Sequence, residues 1–401
     1  MSWEEVELGS LCEIGRGSSP RPINNQAYFE GGNIPWIKIA DATKSTRHIY
    51  ETKQYVNSYG ASFSRLLPKD SLIIAASGTL GFPMFLGVEG CIHDGWMYFK
   101  DYNGIEKEYL YYQLISLGNY FNSQSYGAAI QNINTGILRD TKINLPSLQT
   151  QKRIADILSA YDDLIENNLK RIQLLEQAAQ NIYKDWFENL RFPGHENTSI
   201  NKETGLPIGW FTKRVSDVMD YKVDNRGKNP KYYTEKGIPV IDNHLIKNSP
   251  YIDLSKSKRY IDDTLFDNFI RRYLQEGDVL ITLVGTVGNV SMAPKEKSVI
   301  IQNTIGIRCN ELCTQQYMYC FLEINNRVIQ NKNRGAAQPS VKVGDLIGME
   351  IIIPETTVLS RFSKEIKVIF DMIQTLGKQN SKLKAARDIL LPRLMNRTIG
   401  V

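Results

Sequence analysis

Residues 154–186 read IADILSAYDDLIENNLKRIQLLEQAAQNIYKDW, and this stretch decides the fold. Its apolar residues recur at alternating steps of four and three from Ile154 to Trp186. The same spacing returns near the end of the chain, from Phe362 to Leu394. Such a repeat, sustained over several heptads, is typical of a coiled coil. Two such helices in one chain predict that they pair with each other; the alternative is two amphipathic helices, each packed on its own domain.

The remainder of the sequence is duplicated. The segments that recur roughly two hundred residues apart are Trp3 and Trp210, GNIPWI (32–37) and KGIPVI (236–241), GTLG (78–81) and GTVG (285–288), GAA (127–129) and GAA (335–337), and LP (145–146) and IP (353–354). This period is too long for a solenoid repeat. It indicates two copies of one domain, each followed by a long helix.

Each copy combines short β-type runs with interspersed helical stretches, and 92–99 and 299–308 are two of the clearest strands. We therefore predict an α+β fold: two duplicated mixed α/β domains, separated by two long antiparallel coiled-coil helices and related by a pseudo-twofold axis. A polar segment with Pro and Gly at its start predicts an exposed linker between the copies. The predicted boundaries are 1–148 for the first domain, 149–190 for the first helix, 191–206 for the linker, 207–354 for the second domain and 355–401 for the second helix.

Two asparagines occupy core positions of the heptads. Asn168 falls at position d and Asn380 at position a, and antiparallel coiled coils place a layers against d layers, so the two can face each other. A paired Asn layer would lower stability while fixing the register. The alternative is two asparagines at solvated edges. The same register pairs Ile172 with Leu376, and Arg387 with Tyr161, whose ring face can receive a guanidinium.

Composition limits the class of protein. The chain has 401 residues, 42% hydrophobic and 23% charged, with a formal net charge of +5, which is typical of a globular protein and excludes a polycation. No apolar run approaches the ~18 residues of a membrane span, and the acidic N-terminal stretch does not resemble a signal peptide. The five Cys form no CxxC pair, which predicts reduced thiols, no zinc cluster and a cytoplasmic location.

Familiar catalytic motifs are absent from the sequence. There is no Asp/Asn-Pro-Pro-aromatic motif of an amino-methyltransferase, no glycine fingerprint for AdoMet or dinucleotides, and no GxxxxGK[ST] loop. The GTLG and GTVG segments lack a phosphate-binding Lys. They predict tight turns, or turns that also present Thr79 and Thr286 to a phosphate.

The pair His93 and Asp94 could suggest acid–base catalysis. Its counterpart in the second copy is Gln302 and Asn303, and amides cannot exchange protons in this way. Because duplicated catalytic residues should not become amides, we predict no catalysis. The alternatives are side chains that hydrogen-bond a ligand and polar residues that close a strand end.

Three polar loops are similarly placed in each copy: 15–21 and 224–230, 38–41 and 242–244, and 126–132 and 334–340. The framework segments repeat while the side chains of these loops differ. One scaffold would thus carry two different specificities. The alternative is ordinary sequence divergence of surface loops, which gives the same pattern.

Together with LPSLQTQKRI (145–154), which opens the first helix, these motifs resemble the DNA-specificity subunit of type I restriction–modification systems over the whole length. The second copy departs at PETTVLSRF (354–362), which lacks the Gln-Lys pair. The resemblance implies that each domain reads one half of a split DNA site and that the chain is non-catalytic. The implied partners are double-stranded DNA, two methyltransferase subunits that use AdoMet, and two motor-nuclease subunits that use ATP and Mg²⁺. The chain itself would bind no cofactor, no metal and no membrane.

Asn and Gln suit adenine, carboxylates accept from cytosine, His can reach guanine, and Lys and Arg contact phosphate or guanine. On this basis, we predict DNA binding by Arg16, Ser18, Arg21, Lys38, Thr79, His93, Asn132, Arg226, Lys228, Asn243, His244, Thr286, Gln302, Arg334 and Gln338. Residues 154–186 would span about 50 Å at ~1.5 Å per residue, or about one and a half turns of B-DNA. Two rival functions are a self-contained site-specific nuclease with an unrecognised active site and a coiled-coil scaffold that binds only proteins.

Overall fold

The structure is a computed structural model that describes residues 3–42, 46–77, 81–118, 120–121, 132–227, 229–335 and 338–400. The chain divides into two compact units. Unit 1 comprises Met1–Asn167 together with Lys382–Val401, and unit 2 comprises Asn168–Ser381. No helix in the described ranges combines the length and the apolar character needed to cross a membrane.

Unit 1 contains a five-stranded sheet, a four-stranded sheet and a two-stranded sheet. Its strands are β1 (Glu4–Glu7), β2 (Glu13–Arg16), β3 (Ile34–Ile37), β4 (His48–Ile49), β5 (Tyr55–Val56), β6 (Arg65–Leu67), β7 (Leu72–Ala75), β8 (Pro83–Leu86), β9 (Gly90–Ile92), β10 (Trp96–Lys100) and β11 (Lys142–Leu145). Its short helices are α1 (Ile39–Ala42), α2 (Ser58–Ala61), α3 (Lys107–Ser116) and α4 (Thr135–Asp140). The strand orders are β2-β10-β7-β8-β4, β5-β3-β9-β6 and β1-β11. The apolar run of β7 is buried throughout, because both faces of this central strand are covered.

The first long helix, α5, runs over Leu148–Tyr183 and ends in a π-helical turn at Lys184–Glu188. The strands of unit 2 are β12 (Phe211–Arg214), β13 (Met219–Val223), β14 (Ile238–Pro239), β15 (Tyr260–Ile261), β16 (Val279–Thr282), β17 (Val290–Met292), β18 (Thr304–Cys309) and β19 (Glu350–Ile353). Its short helices are α6 (Asp263–Asn268), α7 (Gln315–Ile324), α8 (Asn326–Asn331) and α9 (Val343–Ile347). The second long helix, α10, runs over Thr356–Met395.

The sheets repeat as the sequence does. In unit 1, β1 pairs with β11 and the main sheet begins β2-β10-β7-β8; in unit 2, β12 pairs with β19 and the main sheet is β13-β18-β16-β17. The equivalent strands therefore occupy equivalent places, and the predicted fold of duplicated mixed α/β segments is confirmed.

The two long helices pack antiparallel in each unit. In unit 2 the Asn168 amide Nδ2 donates to Asn380 Oδ1 at 3.0 Å, while the rings of Trp186 and Phe362 lie 5.7 Å apart. Residue numbers thus rise along one helix as they fall along the other. In unit 1, Ile154, Ala155 and Leu158 share a core with Leu391, Leu394 and Met395. The hydrogen bond joins the two asparagines that the heptad register places opposite each other.

Arg387 has a different partner from the predicted one. Its guanidinium donates to Asp162 Oδ1 and to Asp388 Oδ1, and the Tyr112 hydroxyl donates to Asp162 Oδ2 at 2.7 Å. A buried carboxylate attracts the guanidinium more strongly than a ring face does, so the predicted stacking on Tyr161 was wrong.

The two strands predicted over 92–99 and 299–308 are also shorter than expected. Residues 92–99 form two strands with a turn between them, in which the Trp96 amide donates to His93 O at 2.9 Å. In the second copy the strand begins only at Thr304, after Asn303 with φ +64°. A left-handed backbone conformation interrupts an extended strand at this point.

Candidate nucleic-acid interface

The turn between β9 and β10 is the centre of the predicted site in unit 1. Arg16 Nε donates to the main-chain oxygen of Asp94 at 2.8 Å, and Arg21 Nη2 contacts Asp94 Oδ2 at 2.5 Å. The Asp94 amide donates to Ser19 Oγ at 3.3 Å. A Cβ on Gly17 would lie 2.3 Å from His93 O, so only glycine permits this close approach. The polar loop at 15–21 is therefore fixed against the turn.

His93 is half-buried within this turn, and the Gly95 amide donates to its Nδ1 at 2.9 Å. Burial is the largest cause that lowers the pKa of His93; Asp94 opposes this effect, and Lys38, Arg21 and Arg16 add to it. The lowered pKa favours the neutral imidazole, which offers a hydrogen-bonding edge without a charge.

Lys38 and Arg65 add two cations to the same region. The Lys38 ammonium lies 4.3 Å from the Trp36 ring centroid, and that ring lies 5.5 Å from the His93 ring. Arg65 lies on β6, the strand that pairs with β9, and its guanidinium lies 5.7 Å from the Tyr98 ring. Arg65 was missed at the sequence level because it lies in none of the loops that correspond between the copies.

The remaining predicted residues of unit 1 are placed by main-chain contacts. The Ser18 amide donates to Ile92 O at 3.2 Å, and Asn132 forms a β-bridge with Ser77. The Ser77 hydroxyl borders Gly95, because a Cβ there would lie 2.9 Å from its Oγ. Thr79 lies outside the described residues. The structure therefore brings together Arg16, Ser18, Arg21, Lys38, His93 and Asn132.

In unit 2, Asn243, His244 and Gln302 line one pocket of about 290 Å³. Asn243 Nδ2 donates to Val284 O at 2.6 Å, and its Oδ1 accepts from Thr304 Oγ1 at 3.2 Å. The His244 Nε2 atom lies 3.1 Å from Lys256 O, and the Gln302 amide donates to Asn229 Oδ1. Asn243 thus has a structural role, whereas His244 is exposed at the pocket edge.

Thr286 lines a second pocket, of about 450 Å³, and Gln338 directly precedes Pro339, which lines the same pocket. Thr286 is exposed in the turn between β16 and β17, and Gly285 donates its amide to Pro339 O at 2.8 Å. Gly285 has φ +81°, and a Cβ there would lie 3.5 Å from Asn243 Nδ2 and 3.9 Å from Gln338 Nε2. Asn243, His244, Thr286, Gln302 and Gln338 therefore form one neighbourhood.

Two predicted arginines of unit 2 are paired with carboxylates. Arg226 donates to Asp224 through Nε at 2.9 Å and through Nη2 at 2.8 Å, and Arg334 Nη2 lies 3.0 Å from Asp345 Oδ1. Burial opposes ionisation of Asp224, but the hydrogen bonds and charge of Arg226 hold the pKa of Asp224 below its usual value. Arg226 lines a different cleft from Gln302. Lys228 lies outside the described residues.

Within the described ranges, no three His, Cys, Asp or Glu side chains form a group that could hold a metal ion. Unit 1 instead gathers polar and cationic side chains from separate loops around one turn, and unit 2 gathers polar side chains near its equivalent turn. Donors and acceptors of this kind, held at the surface of a duplicated α/β fold, define a protein that recognises DNA.

The sequence matches the family described as "Type I restriction modification DNA specificity domain" over residues 1–177 and 207–391, and the chain belongs to this family. It is thus the specificity subunit of a type I restriction–modification system, the part that carries no catalytic role. It is 25% identical to the type I restriction enzyme MjaIX specificity subunit of Methanocaldococcus jannaschii, with 98% of this chain and 92% of the relative covered. It is 22% identical to the HindI specificity subunit of Haemophilus influenzae, with 73% and 78% covered. The crystal structure of the S subunit from M. genitalium has a similar fold, with a TM-score of 0.59, 14% identity, and 98% and 96% of the chains covered.

Proposed function

We propose that the two repeats, residues 1–148 and 207–354, each read one half of a bipartite DNA sequence. One observation carries this proposal: the equivalent turns at 93–94 and 302–303 present different side chains on the same strand framework. Unit 1 offers an imidazole and a carboxylate, and unit 2 offers two amides. These groups prefer different base edges, so the two half-sites would differ in sequence.

The charges around the turn of unit 1 favour contact with a phosphate backbone as well. In unit 1, Arg16 and Arg21 both contact Asp94, Lys38 lies over the ring of Trp36 beside His93, and the long Arg21 side chain is 68% exposed. An exposed guanidinium can turn from a carboxylate to a phosphate at small cost, because an exposed ion pair is weak. Asp94 would then accept a hydrogen bond from an amino group of cytosine or adenine.

The long helices would hold the methyltransferase subunits. In unit 2, Leu174 is 65% exposed and Val368 54%, and in unit 1 Ile389 is 54% exposed. These large apolar side chains lie on helices whose inner faces are already filled, so a partner would bury them. The helices would also set the separation of the half-sites, at ~1.5 Å per residue.

The catalytic cofactors would belong to the partners. AdoMet would bind the methyltransferase subunits, and ATP and Mg²⁺ the motor-nuclease subunits. Since both activities act on cellular DNA, the complex would lie in the cytoplasm. It would contain two methyltransferase subunits and two motor-nuclease subunits.

Mapping of methylated bases in cells that carry this chain and its methyltransferase subunit tests the proposal. We expect one bipartite motif, of which only one half changes when residues 1–148 are exchanged for those of a relative. The reciprocal exchange of residues 207–354 is the matched control and should change only the other half. A motif without two parts, or methylation without sequence preference, would contradict the reading. Cleavage of DNA by the purified chain with Mg²⁺ alone would favour a nuclease instead.

A further inference from the structure

Unit 2 carries an open cleft of about 800 Å³ beside the loop at 224–230. Four cationic residues line it: Lys222, Arg226, Arg271 and Arg272. Lys222 is the last residue but one of strand β13, and Arg271 and Arg272 directly follow Ile270. Such a concentration of positive charge in one concave surface attracts polyanions.

A buried asparagine builds the cleft. Asn225 is 7% exposed, and its Nδ2 donates to Arg272 O at 2.8 Å and to Ile300 O at 3.1 Å. Its Oδ1 accepts from the Arg271 amide at 3.3 Å and from the Arg272 amide at 3.0 Å. One side chain therefore fixes the Arg271–Arg272 turn against the loop that carries Arg226. Because the backbone of both arginines is already fixed, binding an anion there would cost little further backbone entropy.

The cations of the cleft differ in how far they are neutralised. Asp224 accepts two hydrogen bonds from Arg226 and also lies 3.6 Å from the Lys222 ammonium. Within the part of the chain that the structure describes, no carboxylate oxygen lies within 4 Å of a guanidinium nitrogen of Arg271 or Arg272. Asp220, which also lines the cleft, is therefore not bonded to them.

An aromatic ring orients Arg272. Its guanidinium lies 4.8 Å from the Tyr221 ring centroid, and Arg308 lies 5.1 Å from the same ring. Arg308 is itself held by Asp278, through Nε at 2.9 Å and Nη2 at 2.7 Å. Stacking leaves the donors at the edge of a guanidinium available, so Arg272 can bind an anion while it stays on the ring.

We propose that this cleft binds the DNA backbone, with Arg271 and Arg272 each contacting a phosphate. This inference rests on the proposed function of unit 2. The cleft and the base-reading pocket are close in sequence, because Asn229, three residues after Arg226, accepts a hydrogen bond from the amide of Gln302 at that pocket. The backbone contact would set the position of the duplex, and the pocket would read its bases.

Salt-dependent DNA binding tests the proposal on the full-length chain in complex with its methyltransferase subunit. Each phosphate contact contributes about 0.9 to the slope of log K against log salt concentration. The double variant Arg271→Ala/Arg272→Ala should reduce the slope by about two and weaken binding on the order of tenfold or more at low salt. The methylated motif should stay the same, because phosphate contacts carry no base information. An unchanged slope would overturn the proposal.

Two further variants separate charge from folding. Arg271→Lys/Arg272→Lys keeps both charges and should restore most of the slope, whereas a merely structural defect would persist. Arg191→Ala, which removes an arginine that is 68% exposed in the predicted linker between the repeats, is the matched control and should leave the slope unchanged. Asn225→Ala should weaken binding without removing a charge, since it releases the turn.

The same chemistry could serve a free anion, and inorganic phosphate is the probe for that source. Inorganic phosphate would then protect the wild-type chain against thermal unfolding, and the double variant would not change the salt dependence of DNA binding. That pair of results would assign the cleft to a small anion and refute the DNA contact. Failure of the wild-type complex to bind DNA in a salt-dependent way would instead refute the proposed function itself.

Discussion

Removal of one asparagine from the Asn168–Asn380 pair should destabilise unit 2. The two side chains are 1% and 5% exposed, and the hydrogen bond between them is 3.0 Å long. Asn168→Ala leaves the Asn380 carbonyl oxygen without this donor in a buried layer. The loss of such a hydrogen bond by a buried polar atom costs about 1–3 kcal/mol.

Replacement of both asparagines by Leu should stabilise unit 2, whereas the single replacement destabilises it. It removes both polar groups together, and each buried Leu side chain contributes about 1.5–3 kcal/mol relative to exposure. The double variant should therefore be more stable than either single variant. Its helices would no longer have a polar layer to fix their register.

Denaturant unfolding of the two alanine variants and their combination gives a double-mutant cycle, in which residues in contact show a coupling of about 0.5–3 kcal/mol. Asn167→Ala is the matched control, because this neighbour on the same helix is exposed. It should change the free energy of unfolding by less than about 1 kcal/mol, and in the stabilising direction, since Ala is the better helix former. A coupling of zero, or equal effects of Asn167→Ala and Asn168→Ala, would refute the paired layer.

Three other outcomes are expected. Burial raises the pKa of Glu323 to about 7, so unit 2 should lose stability as pH rises from about 4.5 to about 7. Glu323→Gln should flatten this dependence of stability on pH, as measured by thermal melts at several pH values. An unchanged slope would contradict the burial argument. Asp162→Ala should lower the free energy of unfolding by about 3 kcal/mol, because it leaves the guanidinium of Arg387 without its buried partner. A loss below about 1 kcal/mol would show that the pair contributes little. Asp94→Asn should change the base accepted at one position of one half-site in methylation maps. Asp101→Asn, at an exposed acidic residue, is the control and should leave the motif unchanged. A motif altered in both halves would argue against two separate recognition domains.

The helices were predictable because their signal is local. A heptad repeat needs no knowledge of the rest of the fold, and the same frame places Asn168 opposite Asn380. The partner of Arg387 was not predictable in this way. Asp162 lies beside the core seam, and Tyr112, from a different element, completes its hydrogen bonds. Such a three-sided contact depends on tertiary packing rather than on spacing.

The predicted site shows the same division. Correspondence between the repeats led to His93 and Gln302 and to the three polar loops, because duplication marks equivalent positions. Arg65 and the adjacent Arg271 and Arg272 have no such mark. Arg65 becomes a candidate only through strand pairing in unit 1, and Arg271 and Arg272 only through a buried asparagine in unit 2. The sequence indicates which loops vary, and the packing indicates which cations accompany them.

The order of residues in the two units has a consequence for synthesis on the ribosome. Unit 2 is one continuous segment, Asn168–Ser381, whereas unit 1 needs Lys382–Val401 to complete it. Leu391 and Leu394 lie in the core of unit 1, against residues from the beginning of the chain. The first recognition domain to be translated is therefore the last to be finished. A premature stop after Ser381 would spare the contiguous unit and open the core of the N-terminal one, so damage at the end of the gene would first impair the reader encoded at its start.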